Sequence, residues 1–225
     1  MIHYLGKTAE ETLTLTDDYV LKNVKMGLVT HESSAIAGFL MDGICGLGFK
    51  GIASVTIPSL VDSLEGGMGK LFAMFLNSDP DDTKNPSHIS FGWYDLSIVG
   101  KNAQFHYSPL KTHDTYWGIY MTGFEIVNTQ TKEKLLPDPC AKDKCNTIVD
   151  SGTSGIAVPD AIFEDILLAI QGDNDCIDGE CFDTDFDKYP TLLLKLDPGT
   201  SFTMLPSDYL LCVEDECVLR IQSSG

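Results

Sequence analysis

The sequence is short of the features that mark several large classes of protein. No apolar run approaches the ~20 residues that a membrane-spanning helix needs, so no stable membrane insertion is expected. The first seven residues have neither the basic start nor the apolar core of a signal peptide. Basic residues are scarce, at 15 against 33 acidic ones, and the net charge of −18 would repel the phosphates of nucleic acid. Nucleic acid is therefore not expected as a partner.

Motifs of two common classes of hydrolase are absent as well. None of the five histidines has a Gly-x-Ser-x-Gly nucleophile elbow near it, which argues against a serine hydrolase. No His-Glu-x-x-His zinc-binding helix occurs. We therefore expect neither a resident metal nor a cofactor.

Cysteine, in contrast, is present in a regular arrangement. Six of the seven cysteines form three Cys-x4-Cys pairs, and Cys45 is left over. The pairs are Cys140 with Cys145, Cys176 with Cys181, and Cys212 with Cys217. Disulfides would imply an oxidising compartment. Zinc is the alternative, but tetrahedral zinc sites usually use tighter Cys-x2-Cys spacing, and no histidine accompanies the pairs. Spacing alone leaves the disulfide connectivity open.

Local patterns predict a mostly β protein with two or three short helices. Alternating and β-branched apolar residues over 12–29 indicate strands and turns. The clearest helix begins with Asp160 as its N-cap and ends at Gly172. Residues 191–196 and 202–205 are expected to form the two strands of a hairpin.

An aspartate at the end of a β-branched apolar run marks the most informative segment. The segment is Thr147-Ile148-Val149-Asp150-Ser151-Gly152-Thr153-Ser154. Such a strand delivers a carboxylate into a tight, hydroxyl-lined turn, which is how an aspartic protease presents its catalytic aspartate. The bare Asp-Ser-Gly tripeptide is also common in β proteins as a strand-end turn with a solvated carboxylate, so the surrounding sequence decides between the two.

Five other segments occur in the order and with the spacing of one family. They are 42–49 (Asp-Gly-Ile-Cys-Gly-Leu-Gly-Phe), 89–95 (Ile-Ser-Phe-Gly-Trp-Tyr-Asp), 116–119 (Tyr-Trp-Gly-Ile), the loop between Cys140 and Cys145, and 205–210 (Leu-Pro-Ser-Asp-Tyr-Leu). Together with the aspartate segment they resemble the pepsin-like aspartic protease family. The Asp-Ser-Gly-Thr-Ser turn and the Gly-Leu-Gly-Phe-Lys run are most similar to the plasmepsin branch.

The resemblance implies a mostly β, bilobal pepsin-like acid protease fold that is incomplete at both ends. Residues 1–97 would form the C-terminal part of the first lobe, including a strand of the central sheet. Residues 98–225 would form a truncated second lobe. The expected activity is that of an aspartic-type endopeptidase acting on polypeptides, and the full-length parent is expected to be a monomer.

The resemblance also implies two disulfides, Cys140–Cys145 and Cys181–Cys217. Cys176 and Cys212 would then be left to form an extra pair. Cys45 replaces the aliphatic residue of its motif and is expected to be a buried free thiol. Disulfides and family together place the parent protein in the secretory pathway, in a vacuole or lysosome-like compartment, or outside the cell.

By the family pattern, two carboxylates share one proton and hold a water molecule between them, and their pKa values split because both cannot ionise easily. Asp150 matches the second-lobe member of this pair. Ser151 would hold the turn through its hydroxyl, and Gly152 would let the backbone close around the carboxylate. Thr153 would donate a hydrogen bond to the outer oxygen of Asp150, and Ser154 would lie at the edge of the substrate cleft.

One half of the catalytic pair is not found in this sequence. No Asp-Thr/Ser-Gly motif occurs between Met1 and Phe39. The run Ile44-Cys45-Gly46 matches the hydrophobic-hydrophobic-glycine brace of the first catalytic aspartate, which is itself missing. The brace of Asp150 would lie after Gly225. We therefore expect an internal piece of a longer protease, and we expect this chain alone to be inactive.

Two alternatives remain open from the residues alone. The chain could be a homodimeric protease with one Asp-Ser-Gly turn per subunit, although the chains of such proteases are about half this length. It could also be a non-catalytic pseudoprotease that keeps a peptide-binding surface without the chemistry.

Overall fold

A computed structural model describes residues 4–32, 41–53, 57–64, 71–99, 102–112, 114–177 and 179–225. The chain divides into two compact units. The first unit comprises Met1–Phe105 and Asp114–Tyr116, and the second comprises His106–His113 and Trp117–Gly225. The assignment of residues 1–97 and 98–225 to two lobes of a larger fold stays a prediction.

The first unit contains a long antiparallel hairpin. Strand β1 (Tyr4–Thr16) turns at Asp17 and Asp18 into strand β2 (Tyr19–Glu32). The β-branched and apolar residues over 12–29 favour extended backbone, and the strands predicted there are confirmed. Two short strands, β3 (Phe72–Phe75) and β4 (His88–Phe91), form a second antiparallel pair.

The core described in the first unit is small. Leu21 from β2 packs with Leu60, Val61 and Leu64, which flank or belong to a short 3-10 helix at Val61–Ser63. Each of these four side chains keeps 6–8% of its surface exposed. The cluster is therefore buried, but none of its members is completely enclosed.

The second unit contains two helices and a larger set of strands. In chain order they are β5 (Gly118–Val127), β6 (Cys145–Ile148), β7 (Ile156–Val158), α1 (Asp160–Gln171), β8 (Cys176–Ile177), β9 (Glu180–Cys181), β10 (Thr191–Leu196), β11 (Thr200–Met204), α2 (Pro206–Tyr209), β12 (Leu210–Val213), β13 (Glu216–Leu219) and β14 (Ile221–Ser223).

These strands form two four-stranded antiparallel sheets and one parallel pair. The first sheet has the order β11-β10-β5-β6, which places β6 at an edge. The second has the order β12-β13-β9-β8. Strand β14 pairs in parallel with β7. The predicted hairpin is confirmed as β10 and β11, although its second strand begins at Thr200, two residues earlier than expected.

Helix α1 lies where the sequence predicts it and ends as expected. Gly172 follows at a φ of 55°, a left-handed conformation that favours glycine. The prediction of Asp160 as the N-cap is wrong, because Pro159 occupies that position and Asp160 is the first helical residue. The carboxylate of Asp160 instead accepts hydrogen bonds from the hydroxyl of Ser223 and the backbone N–H of Gly225. It therefore ties the helix to the segment that contains β14.

Large side chains fill the core of the second unit. Leu192 on β10 is completely buried, and Tyr189 and Tyr209 are each 1% exposed. The Tyr189 hydroxyl donates to the backbone oxygen of Asp183 at 2.7 Å, and the Tyr209 hydroxyl donates to that of Pro190 at 2.6 Å. Burial raises the pKa of both phenols above the ordinary value. Each polar tip therefore has a partner inside the core, as a buried hydroxyl requires.

Glu125 on β5 is a buried carboxylate, with 6% of its surface exposed. Its Oε1 atom accepts hydrogen bonds from Lys134 Nζ at 2.7 Å and from Lys195 Nζ at 2.5 Å. These hydrogen bonds hold the pKa of Glu125 below its ordinary value, against the opposing effect of burial. The two lysines thus neutralise a charge that would be costly to bury alone.

Three disulfides lie in the second unit. Cys140–Cys145 is present as expected, with its Cα atoms 5.2 Å apart. The expected bridge between Cys181 and Cys217 is wrong, because the structure pairs Cys176 with Cys181 and Cys212 with Cys217. The physical reason is local: Cys176 lies opposite Cys181 in the β8–β9 hairpin, and Cys212 lies opposite Cys217 in the β12–β13 hairpin. Each hairpin therefore closes its own bond.

Cys45 is free, as expected, but it is exposed rather than buried. Partial desolvation by neighbouring atoms still raises the pKa of its thiol. A raised pKa lowers the fraction of thiolate at neutral pH, and the thiolate is the reactive form.

Across both units the described structure is mostly β, as predicted. Within the part of the chain that the structure covers, no helix is both long and apolar enough to cross a membrane.

Candidate active site

Strand β6 carries the chain toward Asp150. It pairs antiparallel with β5, and its first residue, Cys145, is fixed by the disulfide to Cys140. The backbone N–H of Val149 donates to the backbone oxygen of Trp117 at 3.0 Å, which extends the pairing one residue beyond β6. The backbone is therefore held up to the residue before the aspartate.

The turn after β6 closes around the carboxylate of Asp150. Its Oδ1 atom accepts a hydrogen bond from the backbone N–H of Gly152 at 2.9 Å. Its Oδ2 atom accepts one from the hydroxyl of Thr153 at 2.6 Å. The backbone N–H of Thr153 also donates to the backbone oxygen of Asp150 at 3.3 Å. Both carboxylate oxygens thus have a donor, from two of the three residues that the sequence assigns to supporting roles.

Gly152 lies close against the carboxylate that it supports. A Cβ atom added there would be 3.2 Å from Oδ1 of Asp150, a tighter approach than most Cβ atoms make. The hydrogen bond from the Gly152 N–H needs this proximity. Glycine at this position therefore lets the backbone reach the carboxylate without a steric conflict.

Ser151 and Ser154 are both exposed. In the described residues, neither side chain makes a hydrogen bond, so the hydroxyl of Ser151 does not hold the turn as expected. The turn is held instead by Gly152 and Thr153. Ser154 lies one residue beyond Thr153 with its surface open, and its assignment to a substrate cleft stays a prediction.

The electrostatics of the turn favour an ionised Asp150. The hydrogen bond from Thr153 and, next, the backbone hydrogen bond from Gly152 lower the pKa of the carboxyl, while partial burial opposes them. Hydrogen bonds to the charged form stabilise it relative to the protonated form. A lowered pKa extends the pH range in which the carboxyl is ionised, and the ionised form is the one that can act as a general base.

The exit from the turn is fixed by a contact that the sequence analysis missed. A Cβ atom added to Gly155 would lie 2.5 Å from the backbone oxygen of Arg220, so only glycine fits at this approach. The next N–H, from Ile156, donates to the same oxygen at 2.8 Å, and β7 then pairs with β14. Gly155, which directly follows Thr153 and Ser154, was the signal available in the sequence. Its contact partner, Arg220, lies far away along the chain.

In the described residues, the hydrogen bonds to the Asp150 carboxylate come from its own turn. Thr153 and Gly152 are its hydrogen-bond partners within the described ranges, and no second carboxylate joins them. The same ranges contain no cluster of three or more His, Cys, Asp or Glu side chains able to hold a metal ion.

Comparison with known proteins gives matches along the chain. A sequence model of the family described as eukaryotic aspartyl protease matches residues 3–225. Gastricsin from Cavia porcellus is 28% identical over 225 residues, covering 97% of this chain and 53% of the relative. Cathepsin D from Clupea harengus is 29% identical over 223 residues, covering 98% and 51%. A vacuolar aspartic protease from Candida albicans is 26% identical over 220 residues, covering 95% and 49%. The chain therefore spans about half the length of these relatives.

Proposed function

The chain belongs to the eukaryotic aspartyl protease family, and we propose that it supplies one half of the active site of an aspartic-type endopeptidase. The observation that carries the proposal is the Asp150 carboxylate, with a hydroxyl donor on one oxygen and a backbone N–H donor on the other. Relatives named as gastricsin, cathepsin D and vacuolar aspartic protease support the reaction class.

In the proposed reaction, Asp150 is the ionised member of a pair of carboxylates. Its lowered pKa keeps it ionised to lower pH, and in this form it takes a proton from the water that attacks the scissile carbonyl carbon. The second carboxyl, which this chain does not supply, would donate a hydrogen bond to the carbonyl oxygen. The proton held by Asp150 then passes to the leaving amine as the peptide bond breaks. Such a pair titrates as a unit, and its pKa values belong to both groups.

We propose that these 225 residues alone do not hydrolyse peptides. The sequence contains one Asp-Ser-Gly turn, and one carboxylate cannot both activate water and protonate the carbonyl. Residues 1–97 would contribute to the first lobe of the parent enzyme and residues 98–225 to its second lobe. Ser154 would line the cleft beside the substrate.

The finer assignment is to the plasmepsin branch, supported by the Asp-Ser-Gly-Thr-Ser turn and the Gly-Leu-Gly-Phe-Lys run. The substrate would be a polypeptide cut between apolar residues at acidic pH by a monomeric parent enzyme. Three disulfides and relatives that include a vacuolar protease support a secretory, vacuolar or lysosome-like location.

The test is to capture the endogenous protein from its source with an antibody against this chain. We expect an intact mass well above 24.6 kDa and an acid protease activity that pepstatin inhibits. The recombinant 225-residue chain should show no cleavage of an acid-denatured protein beyond that of its Asp150→Asn variant. An endogenous protein of 24.6 kDa without activity would overturn the endopeptidase proposal. Cleavage by the recombinant chain that Asp150→Asn abolishes would instead overturn the proposal that this chain alone is inactive and would favour the homodimeric alternative.

A further inference from the structure

Four cysteines occupy one level of the sheet β12-β13-β9-β8. Cys212 lies opposite Cys217, Cys217 lies opposite Cys181, and Cys181 lies opposite Cys176. Directly opposed residues on neighbouring strands project from the same face of a sheet, so these side chains form a single row. The structure closes the two outer pairs as disulfides and leaves the central neighbours, Cys181 and Cys217, unbonded to each other.

We infer that this cysteine row is a redox-responsive exchange unit. Reduction of either outer disulfide by a small thiol, such as glutathione, moves the surviving disulfide to Cys181 and Cys217. The product carries two free thiols at the ends of the row, Cys176 and Cys212. The inference is independent of the proposed proteolytic function, because it uses no residue of the Asp150 turn.

The strand register already places the central pair for bonding. Directly opposed residues of an antiparallel ladder have Cα atoms about 4.5–5.5 Å apart, inside the range of about 4.4–6.8 Å that disulfides span. A bond between Cys181 and Cys217 therefore requires no movement of one strand past another.

Burial determines where an external thiol can attack. Cys181 and Cys217 have no exposed surface, whereas Cys176 and Cys212 at the ends of the row are half-buried. The external thiolate therefore attacks an outer sulfur, for example that of Cys176. It forms a mixed disulfide with Cys176 and expels Cys181 as a thiolate inside the core, next to Cys217.

The exchange step then follows within the row. The Cys181 thiolate attacks the sulfur of Cys217, the Cys181–Cys217 bond forms, and the Cys212–Cys217 bond breaks. Cys212 leaves as a thiolate and takes a proton from water. A second external thiol attacks the reductant's sulfur in the mixed disulfide and releases Cys176 as a thiol. In total, two external thiols become one external disulfide, and two protein sulfurs gain one electron and one proton each.

Solvation gives the exchange its direction. A thiolate at Cys181 is buried among apolar side chains, where a charged sulfur is poorly stabilised. Transfer of the charge to Cys212 moves it to a half-buried position nearer water. The mirror-image path, beginning with attack on Cys212, ends in the same product. Either path leaves the β8–β9 and β12–β13 hairpins joined to each other by a covalent bond.

The test maps sulfur connectivity in the full chain after partial reduction. Cys45 is first blocked with N-ethylmaleimide, and reduced glutathione is then added in steps. Each sample is quenched in acid, unfolded in denaturant and labelled with deuterated N-ethylmaleimide, so that buried and exposed thiols react equally. Digestion with a glutamyl endopeptidase then separates the two cysteines of each outer pair, because Glu180 lies between one pair and Glu214 between the other.

The expected species with two new thiols carries deuterated label on Cys176 and Cys212. Its remaining disulfide joins the peptides that contain Cys181 and Cys217. Label on both members of one outer pair, with the other pair intact, would overturn the inference. Finding the Cys181–Cys217 bond in the protein before reduction would also overturn it, since the exchange would then lack its starting state.

Two controls separate exchange from simple reduction. Cys140–Cys145 lies outside the row, so its reduction should label both of its cysteines. In the double variant Cys212→Ser/Cys217→Ser, no sulfur remains to accept the attack, and reduction should label Cys176 and Cys181 equally. If Cys181 stayed unlabelled in that variant, exchange along the cysteine row could not be the reason that Cys181 escapes labelling in the parent chain, and the inference would be contradicted.

Discussion

The two units of this chain differ in how completely each encloses its own core. The four buried hydrophobic side chains described in the first unit all keep 6–8% of their surface exposed. In the second unit Ile170 and Leu192 have no exposed surface, and three disulfides link its strands and loops. The Asp150 turn belongs to the second unit. The Asp150 turn thus lies in the better enclosed unit, and we expect that unit to keep its fold more firmly than the first.

The largest expected effect comes from removing a core side chain of the second unit. Leu192→Ala should lower the free energy of unfolding of that unit by about 2–5 kcal/mol, because it empties a fully buried position. Hydrogen exchange followed by mass spectrometry across a urea series would report each unit separately. The loss of protection should appear in β5 and β10 and not in β1 and β2.

Leu60→Ala is the matched substitution in the first unit. Leu60 keeps 8% of its surface exposed, so the cost should fall at the low end of the same range and be confined to that unit. If Leu192→Ala also removed protection from β1 and β2, the two units would unfold together. The two units would then differ in how completely their cores are enclosed, but not in their stability toward unfolding.

A steric change at the exit of the Asp150 turn should have the next largest effect. Gly155→Ala places a Cβ atom 2.5 Å from the backbone oxygen of Arg220, so β14 must move away from β7. Overpacking of this kind typically costs about 1–3 kcal/mol. Faster exchange of the Ile156 N–H, which donates to that oxygen, is the expected signature.

Gly27→Ala in β2 is the control for this change. Nothing lies within 4 Å of a Cβ atom added there, so the first unit should be unaffected or stabilised by up to about 1 kcal/mol. A similar loss of unfolding free energy in both variants would mean that replacing glycine by alanine, and not the contact with Arg220, causes the effect. The close approach of Gly155 to Arg220 would then not constrain the second unit.

The buried tyrosine of the second unit gives a pH-dependent prediction. Tyr209→Phe leaves the backbone oxygen of Pro190 without its donor and should cost about 1–2 kcal/mol at neutral pH. Burial raises the pKa of Tyr209 in the folded state, so the unfolded phenol loses its proton first as pH rises. Above about pH 10 the unfolded state binds fewer protons, and stability falls.

Tyr209→Phe has no phenol at position 209 and therefore does not lose this stability as pH rises. The difference in the free energy of unfolding between the parent chain and the variant should therefore narrow above about pH 10. Urea titrations at neutral and alkaline pH would measure it. Tyr94→Phe removes an exposed phenol from the first unit and is the control for the loss of a tyrosine hydroxyl at neutral pH, where it should cost little stability. A constant difference for Tyr209→Phe would show that its hydroxyl is not enclosed as the structure has it.

The parts of this protein that depend on near neighbours in the sequence could be predicted. The hydrogen bond from Thr153 to Asp150 joins residues three apart, and helix α1 follows from apolar spacing that ends at a glycine. Both are fixed by local geometry. The N-cap prediction for Asp160 was wrong. The Asp160 carboxylate accepts a hydrogen bond from the hydroxyl of Ser223, and no local sequence pattern reveals that Ser223 lies nearby.

The contacts that depend on strand register could not be predicted. Cys181 has a cysteine directly opposite on each side in its sheet, so spacing alone could not choose between Cys176 and Cys217, and the family pattern chose Cys217, which is not the partner in the structure. The approach of Gly155 to Arg220 likewise needs the parallel pairing of β7 with β14. A sequence shows that a glycine or a cysteine is present, but the partner is set by which strands become neighbours.

The smallest expected effect on stability concerns the carboxylate itself. Thr153→Val keeps the shape of the side chain but removes the hydroxyl that contributes most to lowering the pKa of Asp150. The pKa should therefore rise toward the ordinary aspartate value, as measured by the carboxyl carbon shift of Asp150 in an NMR titration. The sign is fixed by linkage: a lowered folded pKa stabilises the fold above the unfolded pKa, and that contribution is lost as pH falls through the folded pKa.

Thr153→Ser, which retains a hydroxyl, should leave the pKa of Asp150 low, and this pair of variants isolates the hydroxyl from the side-chain volume. The second unit should stay folded in both variants, because Asp150 is exposed and its hydrogen bonds lie outside the core. A titration of Asp150 unchanged by Thr153→Val would contradict its assignment as the carboxylate held ionised by this turn. A low pKa that depends on the hydroxyl would instead mean that the well-enclosed unit by itself holds the Asp150 carboxylate ionised, without a second carboxylate.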